Sequence, residues 1–395
     1  MSIQMLISAP LSECMTVQEK NIKEKERGTM ENVTAAQVKD ALERVIASFQ
    51  TVLYEDDEQF LENMKTKNLE GDDIRRYQHW EWTQGVGLYG FWRLFEATKK
   101  SEYLDILKRF YEKQMEIGLP GKNINTVTPL LAMSYYAEYT KNEEYLAICD
   151  EWAESIMHDF VRTEEGGLQH KTSDSMNNGE LWDDTLFMTV LFLANMGRIR
   201  GKKEYVEEAQ YQFLLHVKYL TDKKTGMWFH GWTFDGHHNF AEALWGRGNC
   251  WITMAIPEFL DMVECPTAVR RILEESERAQ VNALMRFQDE SGMWHTLVDD
   301  PTSYVEASAT CGFAYGILRA VDLGVVDKSF ADSAMKALAP ILKCVNKEGK
   351  VEQVSYGTPM GRESKDFYKQ IPLIPMPYGQ ALAILFFMEA LKLCK

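Results

Sequence analysis

The sequence predicts an all-α fold in which six helical hairpins close into an (α/α)6 barrel with short β-like loops on one rim. Two classes of helix, one amphipathic and one apolar on nearly every side, alternate along the chain. They recur at a spacing of about 45 to 70 residues, which is typical of stacked hairpins. An open array of such hairpins would expose its two end faces, so we expect the ring to close.

The amphipathic helices are expected to form the outer layer, because each can turn a charged face to water. In the segment NEEYLAICDEWAESIMHDF, large apolar side chains recur at three- and four-residue steps, and acids lie between them. The predicted outer helices lie near residues 35–50, 102–115, 143–158, 202–220, 267–288 and 329–345.

The apolar helices are expected to form the inner layer and to line a central funnel, since a helix that is apolar all round must be buried on all sides. The segments WTQGVGLYGFWRLFEA and DDTLFMTVLFLANMG are examples. The predicted inner helices begin near Trp82, Thr126, Trp182, Phe240, Val305 and Tyr378.

Four loops between outer and inner helices repeat a Gly turn followed by a short strand-like run, and three of them carry a histidine. These histidines are His170, His230 and His295. Because each run precedes an inner helix, we expect one rim of the funnel to collect the histidines and the inner-helix N-termini in a pocket. We favour a structural role for His295.

Charge and composition narrow the possible partners. The net charge of −16 disfavours nucleic acid and anionic membranes, because both would be repelled over most of the surface. No segment reaches the roughly 18 uninterrupted apolar residues that a membrane-spanning helix needs. The seven scattered cysteines form no CxxC pair or metal-ligand cluster. They indicate reduced thiols and a cytoplasmic location, and we expect no metal and no cofactor.

The length and the apolar content bear on domain organisation. A chain of 395 residues with 45% apolar residues can bury a large core. Residues 1–30 are interrupted by charges and predict a flexible leader, while residues 31–395 are expected to form a single barrel domain.

The stretch NNGELWDDTLFM places two adjacent acids, Asp183 and Asp184, at the first turn of the third inner helix. One acid is enough to cap a helix, and successive helical residues point about 100° apart. If Asp183 caps, Asp184 faces the funnel near Trp182. Burial and repulsion would raise the pKa of Asp184 toward the protonated state of a general acid, whereas the helix dipole would lower it.

The stretch ALWGRGNCW opens the fourth inner helix with Arg247 between two glycines. The glycines let the backbone approach a ligand, and Trp245 and Trp251 offer flat faces for stacking on a sugar ring. The guanidinium suits a carboxylate, although an ion pair with a neighbouring acid is the alternative. Structural and substrate-facing roles stay open for Trp80, Trp82, Glu306 and Ser308.

With these residues assembled, the chain resembles the unsaturated rhamnogalacturonyl hydrolases of glycoside hydrolase family 105, relatives of the unsaturated glucuronyl hydrolases of family 88. The likeness runs from about residue 35 to the C-terminus. It rests on the ordered set WEWTQGVGLYG, NINTVTPLLAM, GGLQHK, LWDDTLFMTVLFLA, HGW, WGRGNCW, YVEASAT, SYGTP and PMPYGQA.

The resemblance implies an (α/α)6 barrel that hydrates the double bond of a 4,5-unsaturated uronic acid at the nonreducing end of a small oligosaccharide. It selects Asp184 over Asp183 as the catalytic acid. The substrate-binding candidates are His170, His230, Arg247, Trp245, Trp251, Trp82, Trp182, Asn125 and Asp183.

One departure from the family pattern concerns the second inner helix. Some family members carry an acid near its start, where this chain reads Asn123, Ile124 and Asn125, so Asn125 could serve only as a hydrogen-bonding partner. Two alternatives remain open. One is a sugar 2-epimerase on a similar barrel, which would act on free saturated sugars, and the other is a non-catalytic helical scaffold that binds a glycan or peptide.

Overall fold

The structure is a computed structural model that describes residues 33–69, 71–357 and 359–394. The predicted leader, residues 1–30, lies outside the described residues, so the division of the chain into leader and barrel domain stays a prediction. Among the described residues, no helix is long and apolar enough to cross a membrane. In chain order the α-helices of this part are α1 (Ala35–Val52), α2 (Glu58–Met64), α3 (Ile74–Tyr77), α4 (Trp82–Thr98), α5 (Ser101–Ile117), α6 (Thr128–Thr140), α7 (Glu143–His158), α8 (Leu191–Arg200), α9 (Lys203–Leu220), α10 (Gly246–Met262), α11 (Thr267–Phe287), α12 (Ala307–Asp322), α13 (Ala331–Lys336), α14 (Leu338–Cys344), α15 (Asp366–Lys369) and α16 (Pro377–Leu391).

Most of these helices form two concentric layers. The outer layer consists of α1, α5, α7, α9, α11 and the pair α13–α14, and the inner layer consists of α4, α6, α8, α10, α12 and α16. Each inner helix packs against the next one in the chain, and α16 packs against α4. The inner ring is therefore closed, and the predicted (α/α)6 barrel is confirmed.

The two ends of the barrel differ in the length of their connections. At one end, α4, α6 and α8 each pass to the next outer helix in two residues. Lys99 and Lys141, each with a φ of 56°, and Gly201, with a φ of 66°, take the left-handed conformation that such sharp helix ends require. The opposite rim carries all the longer loops between outer and inner helices, and this rim is where a site can be built.

The four rim loops contain the repeated turn that the sequence predicts. Gly166, Gly226, Gly292 and Gly349 all have φ between 77° and 93°, which favours glycine. Three of these turns close an antiparallel bridge, and the turn at Gly292 leads into β3 (Trp294–His295), which pairs with β4 (Val305–Glu306). The strand-like character of the loops is confirmed.

Two inner helices begin later than predicted. Trp182 lies in β1 (Glu180–Trp182), which pairs with β2 (Gly231–Thr233), so the chain stays extended there. The third inner helix then starts with a π-helical turn over Leu186–Val190 before α8. The fourth begins at Gly246 rather than near Phe240, because Phe240 and Glu242 have φ of 53° and 54° and cannot lie in a right-handed helix.

A buried ionic cluster lies near the C-terminal ends of the inner helices. Glu258 of α10 is 2% exposed and accepts hydrogen bonds from Tyr89 (2.7 Å) and Tyr315 (2.5 Å). Arg93 of α4 and Arg319 of α12 contact the same carboxylate at 3.3 Å and 3.0 Å. These polar contacts join three inner helices at the end away from the rim.

Candidate active site

Paired strands on the rim set the positions of the two adjacent acids. Trp182 of β1 pairs with Gly231 of β2, and the next residue continues the ladder, since the Asp183 amide donates to the His230 carbonyl at 3.0 Å. The π-helical turn begins two residues after Asp184. Such turns are common at functional sites, because they redirect side chains within a helix.

Asp183 is fully buried, and its carboxyl group packs closely against the backbone of α10. A Cβ atom added at Gly248 would lie 2.2 Å from one Asp183 carboxyl oxygen, so only a glycine fits there. Neither carboxyl oxygen has a hydrogen-bond partner among the described residues. Burial and the neighbouring Asp184 raise the pKa of Asp183 well above its ordinary value. Burial and this repulsion therefore favour the protonated form of Asp183, and its carboxyl group caps no helix by a hydrogen bond among the described residues.

Asp184 has the different environment that the 100° step between neighbours leads us to expect. Its side chain is 17% exposed, and its Oδ1 lies 3.3 Å from Nδ1 of His170. Burial raises the pKa of Asp184 to about 7, against the opposing effects of the local backbone amides and the Arg247 charge. Burial thus outweighs the helix terminus, and near neutral pH the carboxyl group can both give and take a proton.

His170 is buried beside Asp184. Its ring stacks on Trp182, with centroids 4.3 Å apart and planes at 6°, and its Nδ1 also lies 2.9 Å from the Thr185 hydroxyl. Burial lowers the pKa of His170 to about 3, although Glu180 and Asp174 oppose this effect. The imidazole is therefore neutral at pH 7 and adds no charge beside Asp184, whose Oδ1 has no hydrogen-bond partner among the described residues.

His230 lies on the other side of Trp182. Its ring meets the edge of Trp182 with centroids 5.2 Å apart and lies 4.3 Å from the ring of Trp245. Its Nδ1 is 2.6 Å from the Tyr368 hydroxyl, while Nε2 is buried without a hydrogen-bond partner among the described residues. Burial, with the nearby His170 and Arg247, lowers the pKa of His230 well below its ordinary value.

Arg247 is 2% exposed and is engaged by the protein. Its Nη1 donates to the carbonyl (2.9 Å) and hydroxyl (2.5 Å) groups of Ser355 and lies 3.9 Å from Glu306. The guanidinium also packs over the rings of Trp245 (4.8 Å) and Tyr378 (4.5 Å). Of the two roles left open by the sequence, these contacts favour the ion pair over a fork that reaches a ligand. Its positive charge still acts on Asp184, whose pKa it lowers.

Two of the candidate tryptophans, Trp82 and Trp251, belong to one aromatic wall. Trp82 meets Trp251 edge to face at 6.0 Å and stacks on Tyr378 at 4.8 Å. Trp251 in turn packs against Phe187, three residues after Asp184. Trp82 is half-buried, whereas Trp251 is 1% exposed, so Trp82 presents the face of this wall on which a sugar could stack.

Asn125 lies in the turn before α6 and is half-buried. Its backbone N–H donates to the side-chain oxygen of Asn123 at 3.0 Å. The carbonyl of the neighbouring Ile124 accepts from the Thr189 hydroxyl group at 3.0 Å. The second inner helix is thus joined to the helix that follows Asp184, and a substrate contact by Asn125 stays a prediction.

Several rim residues have structural contacts. His295 lies 2.6 Å from the Ser303 carbonyl and 3.3 Å from Asp289. Glu306 caps α12 by accepting from the Ala309 amide, and Ser308 donates to the same carboxylate. Trp80 is fully buried, and its indole donates to the Thr126 carbonyl at 2.8 Å.

Three residues near the site were missed by sequence reasoning. Tyr378 stands at the start of the sixth inner helix in the segment PMPYGQA, and its position in the repeat could have identified it. Glu81 caps α4, and burial raises its pKa to about 7. Tyr368 comes from α15 in the long loop before α16, where the sequence has no repeat signal.

Among the described residues, no three His, Cys, Asp or Glu side chains lie together as a metal site would require.

Comparisons with known proteins show the family of the chain. The sequence profile of Glycosyl Hydrolase Family 88 matches residues 56–394. The chain is 34% identical over 316 residues to the "Unsaturated rhamnogalacturonyl hydrolase YesR" of Bacillus subtilis, a match that covers 79% of this chain and 90% of that protein. It is 29% identical over 294 residues to an "Unsaturated 3S-rhamnoglycuronyl hydrolase" of Alteromonas sp., with 70% of each chain covered.

A solved structure extends the likeness to three dimensions. A crystal structure of "a possible member of GH105 family" from Klebsiella pneumoniae is 45% identical and superposes with a TM-score of 0.85. The match covers 92% of this chain and 95% of that one. The resemblance inferred from the ordered motifs is confirmed.

Proposed function

The chain belongs to glycosyl hydrolase family 88, and from this premise we propose that it removes the 4,5-unsaturated uronic acid from the nonreducing end of small oligosaccharides. The substrate that we propose is an unsaturated galacturonyl residue linked to rhamnose, of the kind that a polysaccharide lyase leaves. Support comes from the 34% identical relative, which is named an unsaturated rhamnogalacturonyl hydrolase.

The proposal rests on the partial exposure and the raised pKa of Asp184. A partly exposed carboxyl group with a pKa of about 7 is protonated in a large fraction of molecules at neutral pH. Such a group can protonate C4 of the enol ether as a general acid. The resulting carboxylate can then take a proton from the water that adds at C5. The hemiketal so formed breaks down to a 4-deoxy-5-keto uronic acid and the remaining sugar.

One cycling carboxyl group is consistent with the geometry of the acid pair. Ordinary glycosidases use two carboxyl groups about 5 to 9.5 Å apart on either side of the scissile bond. Asp183 is adjacent to Asp184 in the chain and is fully buried, so it cannot act on the opposite face of a sugar. The sequence named Asp183 as a substrate-binding candidate. In this proposal it does not contact the substrate and instead supports Asp184 from behind.

The other side chains would orient the sugar. Neutral His170 lies 3.3 Å from the Asp184 carboxyl group, and the half-buried Trp82 supplies a stacking face. Arg247 favours a negatively charged uronate through its field rather than by a direct fork, since Nη1 donates to Ser355 and Nη2 to the Tyr356 carbonyl. This local positive charge opposes the general field of a chain with a net charge of −16.

The test is Asp184→Asn, assayed by loss of the ultraviolet absorbance of the conjugated double bond in an unsaturated galacturonyl-rhamnose disaccharide. Since a general acid contributes roughly 10²- to 10⁴-fold, we expect the rate to fall at least about a hundred-fold. The exposed Asp159→Asn is the matched control and should keep wild-type activity. Retention of more than a few per cent of activity by Asp184→Asn would remove the central role. Turnover of free saturated sugars would instead support the epimerase alternative.

We also propose that the protein works in the cytoplasm on soluble oligosaccharides, without nucleic acid or membrane partners. All six cysteines in the described part of the chain are free, in keeping with a reducing compartment.

A further inference from the structure

The hydroxyl group of Tyr368 makes a hydrogen bond with Nδ1 of the His230 ring. The two groups are buried, and their O···N distance is 2.6 Å. Tyr368 comes from α15, far along the chain from β2, so this contact joins the loop before α16 to the centre of the rim.

The hydrogen bonds around this hydroxyl determine the direction of the proton. The Gly361 amide donates to the Tyr368 oxygen at 3.0 Å, so the hydroxyl hydrogen must point to another acceptor. His230 Nδ1 lies at 2.6 Å, whereas the sulfur of Met360 lies at 3.8 Å and is a weak acceptor. The Tyr368 hydroxyl hydrogen therefore points to Nδ1 of His230, which accepts the hydrogen bond.

A neutral imidazole that accepts at one nitrogen carries its proton on the other. Burial keeps His230 neutral, so its proton lies on Nε2. Nε2 is buried and has no hydrogen-bond partner among the described residues. A buried N–H group without an acceptor costs free energy, unless another group accepts its hydrogen bond.

We propose that Tyr368 is a positioning residue that holds His230 in the Nε2–H tautomer, so that Nε2 donates a hydrogen bond to an acceptor oxygen of the bound sugar. This inference rests on the proposed function. The ring of His230 lies between Trp182 and Trp245, at the rim that carries Asp184, and a carboxylate or hydroxyl oxygen of an unsaturated uronate has the matching chemistry. Arg247 does not fill this role, because its Nη1 donates to Ser355.

Tyr368 has further contacts that do not involve its hydroxyl group. The Tyr304 hydroxyl donates to the Tyr368 carbonyl at 3.0 Å, and the Tyr368 ring packs on Trp245 with centroids 6.1 Å apart. Tyr304→Phe would remove a hydrogen bond to Tyr368 without touching the bond to His230, which makes it a matched control.

The first experiment reads the tautomer directly and does not depend on activity. In the wild-type chain labelled with ¹⁵N-histidine, a long-range ¹⁵N–¹H correlation spectrum should show Nδ1 of His230 unprotonated and Nε2 protonated, with the resonances assigned by their absence in His230→Gln. A proton on Nδ1 in the wild type would overturn the proposal.

The second experiment measures kinetics on the unsaturated galacturonyl-rhamnose disaccharide. Tyr368→Phe should raise KM about ten-fold, the worth of one hydrogen bond, with less than about two-fold change in kcat. Tyr304→Phe should change both less than about two-fold. An unchanged KM in folded Tyr368→Phe would refute the positioning role. If the wild type leaves the disaccharide intact, the proposed function fails, and the spectrum still decides the tautomer.

Discussion

The buried carboxylate of Glu258 should be a major source of stability. It lies near the C-terminal end of α10, where Arg93 and Arg319 approach it at 3.3 Å and 3.0 Å. Substitution by Gln keeps the shape and removes the charge. Each guanidinium group would then keep only a more exposed anion, Glu96 at 3.4 Å from Arg93 and Asp261 at 2.7 Å from Arg319. Removing one partner of a buried ion pair costs about 3–5 kcal/mol, and these remaining partners place the expected loss at the lower end of that range.

The pKa of Glu258 gives an independent magnitude. Although burial alone would raise it, the two arginines and the two tyrosine hydroxyl groups lower it from 4.5 to about 2. This difference favours the charged carboxylate in the folded state by about 3 kcal/mol. We therefore expect Glu258→Gln to lower the free energy of unfolding, measured by urea denaturation at pH 7, by about 3 kcal/mol.

The control is Glu138→Gln. Glu138 pairs with Arg198 at 2.5 Å, but its side chain is 40% exposed, so its loss should cost about 0–1 kcal/mol. Because the folded pKa of Glu258 is depressed, its contribution is complete above about pH 4.5 and disappears as the pH falls towards about 2. The gap between wild type and Glu258→Gln should shrink over that range. If Glu258→Gln lost no more stability than Glu138→Gln, the cluster would not stabilise the fold as argued.

Two further predictions concern the acid pair. Gly248→Ala would place a Cβ 2.2 Å from a carboxyl oxygen of Asp183, so we expect about 1–3 kcal/mol of destabilisation and reduced activity. The control is Gly90→Ala, which should cost less because the nearest contact of its Cβ is a methyl group at 3.2 Å. Equal melting temperatures of the two variants would contradict the close packing of Asp183 against Gly248. The kcat/KM on the unsaturated disaccharide should decline as pH rises above about 7, because the raised pKa of Asp184 leaves less of the protonated acid; a flat profile from about pH 6 to about pH 8 would argue against Asp184 as the general acid.

The fold could be predicted in unusual detail because it repeats. Each inner helix must be buried on all sides, so the sequence of each inner helix is apolar all round. The sequence has six such segments, and this number gives the number of hairpins. The rim turns also repeat, since Gly166, Gly226, Gly292 and Gly349 meet the same need for a positive φ. The start of α10 was less predictable, because apolar residues in an irregular loop read the same as apolar residues in a helix.

The candidate site was predictable where residues lie close in sequence. The adjacent acids, His170 and His230 could be assigned to one region from spacing alone. Tyr368 could not be found in this way, because its contact with His230 joins α15 to β2 through tertiary packing. For the same reason the sequence left two roles open for Arg247, and the contact with Ser355 distinguishes them.

The sequence by itself determined the two layers of helices, their order and the rim on which polar residues gather, because these follow from local periodicity and turn chemistry. Only the tertiary structure decided which acid is buried. Asp183 lies against Gly248 with no exposed surface, whereas Asp184 keeps 17% of its side chain exposed beside His170. The physical reason is that desolvation, which sets the pKa of each carboxyl group, depends on atoms contributed by distant segments of the chain.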